Sequence, residues 1–254
     1  MDRWKNVADA YARSFATLCA GTVDAVLEGL PAGELMDIGC GDGTLMARAE
    51  ASGKHAYGVD SDPDMVAFAR ERVRGAVCAG ELPSLDLPSA SIESASANFV
   101  LNHVPEPSAS AEEIRRILVP GGRFAGTIRP SGGGGWAAFI GPVFKASEVV
   151  PLQGGALPPE KDFPRSVDGF AGLLTAAGLD VLESREIRWT WSVRPEDLWT
   201  GIAGGVATPG QTFVAQTPEV QARVEQQFWR RAERDVQDGN LRFSAVAVLA
   251  VAQR

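Results

Sequence analysis

The stretch LMDIGCGDGTL, residues 35–45, combines a short apolar run with three glycines at alternate positions, Gly39, Gly41 and Gly43. An apolar run that ends in glycines is typical of a buried strand followed by a tight turn. The spacing departs from the GxGxxG pattern of dinucleotide-binding turns, because Thr44 stands where the third glycine is required, and the GKS or GKT of a Walker loop is missing. The stretch therefore disfavours nicotinamide, flavin and phosphate-loop ligands.

An acidic residue closes the next apolar run along the chain. Residues 56–59 form that run, and Asp60 follows it about 20 residues after the glycines, which is the spacing at which nucleotide-binding folds place an acid. Glycine at the end of a first parallel strand lets the backbone approach a ligand closely, and an acid at the end of the second can accept hydrogen bonds from both ribose hydroxyls. Together these features predict an adenosine-like ligand whose other end is not a pyrophosphate.

Short apolar runs alternate with longer helical patterns between residues 34 and 129, which is the signature of repeated βαβ units and a parallel sheet. The predicted strands are residues 35–38, 56–59, 92–97 and 123–128. Three helices are predicted in this region. The first covers residues 44–52, and the second begins at a cap on Ser61 or Asp62 ahead of Pro63. The third begins at a capping box formed by Ser110 and Glu113. This half of the chain therefore predicts a parallel α/β sheet.

The character of the chain changes after Arg129. Residues 130–166 are rich in glycine and proline and show no sustained periodicity, so they predict a mobile lid. Regular patterns then resume as a helix at 167–177, an extended run at 181–193, helices within 195–240 and a last strand at 241–251.

These elements predict one α/β domain over residues 1–254. Its core is a doubly wound, mostly parallel seven-stranded sheet with an antiparallel edge strand pair. Residues 1–30 are expected to form an N-terminal helical cap, and residues 195–240 a helical insertion on the substrate side.

Charge and composition narrow the classes of partner. The chain has 24 Lys plus Arg against 32 Asp plus Glu among 254 residues, a net charge of −8, which disfavours nucleic acid and anionic membranes. Three cysteines without a CxxC pair suggest neither a disulfide framework nor a zinc module. The first residues lack the apolar stretch of a secretory signal, so we expect a cytoplasmic protein with no metal site.

Four stretches in order resemble one known family. They are LMDIGCGDG (35–43), YGVDSDPDMVAFARE (57–71), GELPSLDLPSASIESASANFVLNHVPEP (80–107) and EEIRRILVPGGRF (112–124). Together they resemble the class I S-adenosylmethionine-dependent methyltransferases that act on small molecules, and the likeness covers about residues 2–129. It implies a Rossmann-like methyltransferase fold, with S-adenosylmethionine as cofactor and S-adenosylhomocysteine as product.

The resemblance also implies a cofactor site. Its expected members are Asp37, Gly39, Gly41 and Gly43 around the homocysteine part, Asp60 on the ribose, Ser61 and Met65 beside the adenine, Ala79, Gly80 and Glu81 at the adenine edge, Asn98 beside the methionine part, and Tyr11 and Arg13 over the carboxylate. Cys78 replaces an Asp that is frequent in related sequences, so a carboxylate contact to adenine is not expected there.

Each of these positions also has a plain structural interpretation. Met65 at helical spacing fits a core residue, and Asp37 fits a turn residue. Tyr11 and Arg13 could instead lie on a solvated helix face with Asp9.

The resemblance implies in-line transfer of a methyl group to an acceptor. His103 follows the fourth predicted strand and is the candidate base or acceptor-positioning residue, with a loop-capping role as the alternative. Five of the six tryptophans fall after the cofactor half, which suggests an aromatic acceptor pocket, with ordinary core packing as the alternative. The expected acceptor-binding residues are Trp4, His103, Trp136, Trp191 and Trp199.

The sequence thus predicts a methyltransferase that acts on oxygen, nitrogen or carbon of a small cyclic or aromatic metabolite of specialised (natural-product) metabolism, as a monomer or homodimer. A nucleic-acid methyltransferase is disfavoured because the chain is acidic and lacks an NPPY-like motif. A metal-assisted catechol-type enzyme would need clustered acids that the acceptor region does not show. A non-transferring use of the fold, as a cyclase, an isomerase or a cofactor-binding regulatory protein, stays open.

Overall fold

A computed structural model describes residues 6–132, 134–152 and 157–254, and these residues contain one sheet of seven strands. The strands are β1 Glu34–Ile38, β2 His55–Asp60, β3 Val77–Ala79, β4 Ile92–Asn98, β5 Leu118–Ile128, β6 Asp180–Val193 and β7 Leu241–Gln253. Their order across the sheet is β3-β2-β1-β4-β5-β7-β6.

The pairing confirms the predicted doubly wound sheet. β1 runs parallel to β2 and β4, β2 runs parallel to β3, and β4 runs parallel to β5, whereas β7 is antiparallel to β5 and β6 follows it at the edge. Parallel strands share one carboxyl edge, so Ile38, Asp60, Ala79 and Asn98 all end their strands at that edge. The strand order places β2 and β4 on either side of β1 there.

Helices connect and cover these strands. They are α1 Ala8–Arg13, α2 Phe15–Cys19, a 3-10 turn Ala20–Thr22, α3 Val23–Glu28, α4 Thr44–Ala51, α5 Pro63–Arg70, α6 Pro107–Ile117, α7 Gly135–Ala146, α8 Val167–Ala176, α9 Pro195–Ala203, α10 Ala207–Val214 and α11 Pro218–Asp235. The predicted cap of α5 is confirmed, since the Asp62 side chain accepts hydrogen bonds from the backbone N–H groups of Asp64 and Met65. In the described part of the chain, every helix is too short or too polar to cross a bilayer.

The chain divides into two compact units. The sheet unit comprises Cys19–Gly132, Ala156–Ile187 and Val246–Arg254, and the helical unit comprises Met1–Leu18, Gly133–Gly155 and Arg188–Ala245. Alternate strand residues of the sheet unit enter two different hydrophobic clusters. Phe124 belongs to one cluster and Ala125 to the other, as expected for a sheet that is buried on both faces.

The predicted capping box at Ser110 is wrong. Helix α6 begins three residues earlier, at Pro107, whose fixed φ suits a first helical position. Ser110 lies inside the helix, where its hydroxyl donates to the Glu106 carbonyl at 2.7 Å. Glu113 instead accepts a hydrogen bond from the backbone N–H of Leu85.

Part of the segment predicted to be irregular is helical. Residues 135–146 of the 130–166 segment form α7, which buries Phe139, Ile140 and Val143. The flanking glycines and Pro142 inside the helix obscured that apolar spacing. Residues 133 and 153–156 of the segment lie outside the described residues, and its role as a lid stays a prediction.

Candidate functional site

The turn after β1, residues 39–43, is a glycine bend at the carboxyl edge of the sheet. The backbone N–H groups of Gly39 and Cys40 both donate to the Val59 carbonyl, at 2.8 and 3.0 Å. Gly39, Gly41 and Gly43 have φ values of 67°, 54° and 80°, a region that residues with a side chain rarely adopt. A Cβ at Gly39 would also lie 2.5 Å from Cγ2 of Val100. All three positions therefore favour glycine for conformation, and position 39 requires it for space as well.

Replacement of Gly39 by alanine is expected to lower the free energy of unfolding by about 3 kcal/mol, from the strain of a positive φ and from overpacking against Val100. Urea unfolding measures this change. Gly53→Ala is the matched control, because Gly53 also has a positive φ, 87°, but no atom within 4 Å of the added Cβ. The control should cost about 1 kcal/mol. Equal losses in the two variants would show that contact with Val100 is unimportant.

Asp60 connects the bend to the start of α5. Its Oδ2 accepts from the Gly41 N–H at 2.8 Å and its Oδ1 from the Asp62 N–H at 3.0 Å. Burial raises the pKa of Asp60, and the N–H groups of Asp62 and Gly41 oppose that rise. The Ser61 N–H opposes the rise as well, and because each carboxylate oxygen offers about two acceptor directions, the carboxylate keeps acceptor capacity beyond these three N–H groups.

Two more carboxylates lie beside the bend. Asp37 is 2% exposed and accepts from the Ser96 hydroxyl at 2.7 Å. Burial raises the pKa of Asp37 to about 7, and the negative charges of Asp60 and Asp42 add to the rise. Asp42 pairs with Arg72, which supplies a compensating charge. Asp42 is thus paired and Asp37 is about half protonated at pH 7, so the negative charge beside the bend comes chiefly from Asp60, and it disfavours a phosphate.

The expected adenine side of the site lies at the ends of β2 and β3. Ala79 is the register partner of Asp60, and the Gly80 N–H donates to the Asp60 carbonyl at 3.0 Å. Ser61, Cys78, Ala79 and Glu81 are exposed, whereas Met65 is 2% exposed. The structure thus brings Asp60 and residues 79–81 together, and the burial of Met65 agrees with its alternative interpretation as core.

The Asn98 side chain is engaged with other parts of the sheet unit. Its Oδ1 lies 2.7 Å from Oγ1 of Thr22 and 2.5 Å from Oγ1 of Thr127, and its Nδ2 donates to the Cys19 carbonyl at 3.2 Å. Asn98 therefore fixes the end of β4 to β5 and to residues 19–22. Thr22, Thr127 and Ser96 were not among the predicted site residues; the alternation of small polar residues along β4 was the available signal for Ser96.

His103 is exposed on the turn that follows β4. Its backbone N–H donates to the Val100 carbonyl at 2.8 Å, and Val100 is the residue that approaches Gly39. The structure thus places His103 in the sheet unit, on the turn that packs against the glycine bend.

The remaining predicted site residues belong to the helical unit, and their site roles stay predictions. Arg13 lies exposed and paired with Asp9, with Nε at 3.2 Å from the carboxylate. This pairing on α1 agrees with the alternative of a solvated helix face. Tyr11 is partly buried on the same helix, and Trp4 lies outside the described residues.

The tryptophans of the helical unit take part in aromatic packing. Trp191 is 2% exposed, donates its Nε1–H to Oγ1 of Thr17 at 2.9 Å and packs against Phe15. Trp136 meets Phe15 edge-on at 5.3 Å between ring centroids. Trp199 contacts Phe213, Phe228 and Trp229. These contacts agree with the core-packing alternative for Trp191 and Trp199.

Metal and disulfide chemistry have no visible site in the part of the chain that the structure describes. No group of three or more His, Cys, Asp or Glu side chains has a spacing that could hold a metal ion there. The cysteines Cys19, Cys40 and Cys78 are free thiols.

Known sequences resemble the part of this chain that contains the glycine bend, and some resemble more of it. A family model described as a methyltransferase domain matches residues 36–126. An uncharacterized protein in transposon TN4556 of Streptomyces fradiae is 35% identical over 119 residues, 44% of this chain and 33% of that protein. A ubiquinone biosynthesis O-methyltransferase of Xylella fastidiosa is 30% identical over 168 residues, 63% of this chain and 66% of that protein. The chain thus matches between a third and two thirds of the length of these relatives.

Solved structures share the fold across nearly the whole chain. An S-adenosylmethionine-dependent methyltransferase from Thermotoga maritima, described as a possible histamine N-methyltransferase, has a TM-score of 0.58 at 17% identity and covers 99% of both chains. The 4+2 cyclase SpnF has a TM-score of 0.56 at 21% identity over 92% of this chain and 80% of that chain. The matched domain and the shared fold agree with the glycine bend and the acid at the end of β2. Residues 36–126 thus belong to the methyltransferase-domain family, within a fold that the chain shares with S-adenosylmethionine-dependent methyltransferases.

Proposed function

We propose that the protein binds S-adenosylmethionine in the sheet unit and transfers its methyl group to a small cyclic or aromatic acceptor of specialised metabolism. The observation that carries this proposal is the glycine bend beside Asp60, whose carboxylate is held by the bend and keeps acceptor capacity. A sulfonium group and an ammonium group are cations, and the ribose has two hydroxyl donors. The residues present therefore fit this cofactor better than a dinucleotide, whose pyrophosphate the bend would repel.

The strand order supports a direction for the cofactor along the sheet edge. The ribose would lie on Asp60, at the end of β2. Strand β2 has β3 on one side, and on the other side it has β1, beyond which lies β4. The glycine bend follows β1, so the amino-acid part would lie over residues 39–43. The base would then lie over the end of β3, at residues 79–81.

When bound, the cofactor supplies an electrophilic methyl group on a positively charged sulfur. The protein needs little covalent chemistry, because holding the acceptor in line and excluding water provide most of the advantage. Residues 39–43 bind and orient the amino-acid part and Asp60 binds the ribose, while Asp37 adds negative potential where the pH is high enough, above about 7, to remove its proton. His103 would accept the acceptor's proton where the acceptor begins as a hydroxyl or protonated amine.

The test of transfer uses S-adenosylmethionine labelled on the methyl group, incubated with a panel of phenols, catechols and heteroaromatic amines. Ring hydroxyls are the first choice, since the Xylella relative is named as an O-methyltransferase of ubiquinone biosynthesis. Movement of label to one acceptor supports the proposal. Tight binding of the cofactor with no transfer across the panel and a cell metabolite extract would support the non-transferring alternative instead.

His103→Ala is expected to lower kcat about 100-fold for an acceptor that must lose a proton, while the dissociation constant for S-adenosylhomocysteine changes less than about twofold. Steady-state kinetics and calorimetry measure the two quantities. His55→Ala is the matched control. His55 is the other of the two histidines in the sequence, and it lies exposed at the start of β2, at the opposite end of that strand from Asp60. Unchanged turnover in the His103 variant would leave that residue with a structural role only.

A further inference from the structure

Two side chains of α6 hold the loop that follows β3. Oε1 of Glu113 accepts from the Leu85 N–H at 2.7 Å. Nη2 of Arg116 donates to the carbonyls of Leu87 at 2.8 Å and Leu85 at 3.3 Å, and its Nη1 donates to Oγ of Ser89 at 3.0 Å. One carboxylate and one guanidinium thus bind four polar groups of residues 85–89.

The two side chains also bind each other through both carboxylate oxygens. Nε of Arg116 donates to Oε2 of Glu113 at 2.6 Å, and Nη2 donates to Oε1 at 2.8 Å. This two-point geometry fixes the orientation of both groups, because a planar guanidinium matches a planar carboxylate. Glu113 is buried, whereas the Arg116 side chain is 36% exposed, so the pair lies at the edge of the core with its carboxylate on the inner side.

The loop that this pair holds is continuous with the expected adenine edge of the site. Gly80 donates its N–H to the Asp60 carbonyl, and a Cβ at Gly80 would lie 3.6 Å from Cδ2 of Leu85. Leu82 and Leu85 are both buried in a core cluster of the sheet unit. Glu113 and Arg116 therefore hold a buried leucine that lies next to the Gly80 backbone, beside residues 79–81.

We propose that Glu113 and Arg116 are positioning residues for recognition of the adenine base. They do not touch the cofactor; they hold residues 79–81 so that the backbone there reads the polar edge of the base. This inference rests on the proposed function, since it assumes an adenosyl group with its ribose on Asp60. It assigns to the Glu113–Arg116 pair a part in ligand discrimination as well as in folding.

A second carboxylate, on helix α4, offers a matched control at the other end of β3. Glu50 of α4 accepts from the N–H groups of Arg74 at 2.9 Å and Gly75 at 2.8 Å, just before β3 begins. Its side chain is 11% exposed, against 9% for Glu113. Glu50 therefore fixes the amino end of β3 as Glu113 fixes the loop at the carboxyl end, with similar burial.

The experiment compares binding of S-adenosylhomocysteine and S-inosylhomocysteine, in which an oxygen replaces the exocyclic amine of the base. Calorimetry on the full chain gives both dissociation constants. We expect the unchanged protein to prefer the adenosyl ligand by at least about 10-fold, because a site built to bind a polar group rejects an analogue without it. In Glu113→Gln the preference should fall to about twofold or less through weaker binding of the adenosyl ligand, whereas Glu50→Gln should keep the full preference.

A second variant guards against poor folding of the first. Arg116→Lys keeps the positive charge but loses the two-point geometry, and it should reduce the preference in the same direction. The inference is overturned if both α6 variants keep the original preference, if Glu50→Gln loses it equally, or if the unchanged protein does not discriminate. If the unchanged protein binds neither ligand, the proposed function itself fails. That outcome is distinct from the three above, in each of which the unchanged protein still binds the adenosyl ligand.

Discussion

Replacement of Asp60 by alanine is expected to weaken binding of S-adenosylhomocysteine roughly 1,000-fold, about 4 kcal/mol. The reason is that two hydrogen bonds from ribose hydroxyls to an ionised group are lost, each worth about 1.5–3 kcal/mol. The carboxylate is held in place by the N–H groups of Gly41 and Asp62 before the ligand arrives, so little ordering is needed on binding. Isothermal titration measures the change.

The Asp60→Asn variant separates ligand binding from the shape of the bend. Asparagine keeps one oxygen that can accept from an N–H group, so the bend should survive while one ribose contact weakens. We expect an intermediate loss of about 30-fold, consistent with one charged acceptor removed. Undiminished affinity in the Asp60→Ala variant, with its fold intact by circular dichroism, would contradict the assignment of Asp60 to the ribose.

Replacement of Asp37 by asparagine is expected to remove a pH-dependent loss of stability. Burial raises the pKa of Asp37 to about 7 from an ordinary value of 3.8. Below pH 3.8 the group is protonated in both the folded and the unfolded chain, so it has no effect on stability there. Between pH 3.8 and about pH 7 the folded chain retains a proton on Asp37 that the unfolded chain has lost. The free energy of unfolding therefore falls as pH rises, and the loss is complete above about pH 7.

The size of this loss is about 4 kcal/mol, from about 3 pKa units at 1.36 kcal/mol each. Urea unfolding at intervals from pH 4 to pH 8 measures it as the difference between Asp37→Asn and the unchanged protein. That difference should grow in favour of the variant as pH rises. Ser96→Ala is the companion variant: it removes a hydrogen bond that lowers the pKa of Asp37, so the fall should continue to higher pH and the total loss should be larger. A difference that is constant with pH would contradict the burial of an ionisable Asp37.

The elements around the site could be predicted from the sequence because their signals are local. The glycines of the bend, the acid that ends β2 and the Asp62 cap are each read from a few adjacent residues, and the structure confirms them. The prediction of a capping box at Ser110 was wrong because it, too, rested on local residues alone. The four-residue pattern is present, but the helix begins earlier, at Pro107, whose fixed φ suits a first helical position. The Glu113 carboxylate accepts instead from the N–H of Leu85, 28 residues away in sequence.

Long-range partners explain what the sequence could not show. Asn98 meets Thr22 across 76 positions of sequence and Thr127 across 29, and no short pattern records such pairs. The tryptophans illustrate a different limit, because an aromatic residue at a buried position looks the same in sequence whether it packs in a core or lines a pocket. Trp191 proved to be buried against Phe15 and Phe243.

The most direct measurement is a crystal structure of the protein with S-adenosylhomocysteine. We expect the amino-acid part over residues 39–43, both ribose hydroxyls within hydrogen-bond distance of the Asp60 carboxylate, and the base at residues 79–81. A ligand bound elsewhere, or an adenosyl group whose ribose lies away from Asp60, would contradict the account.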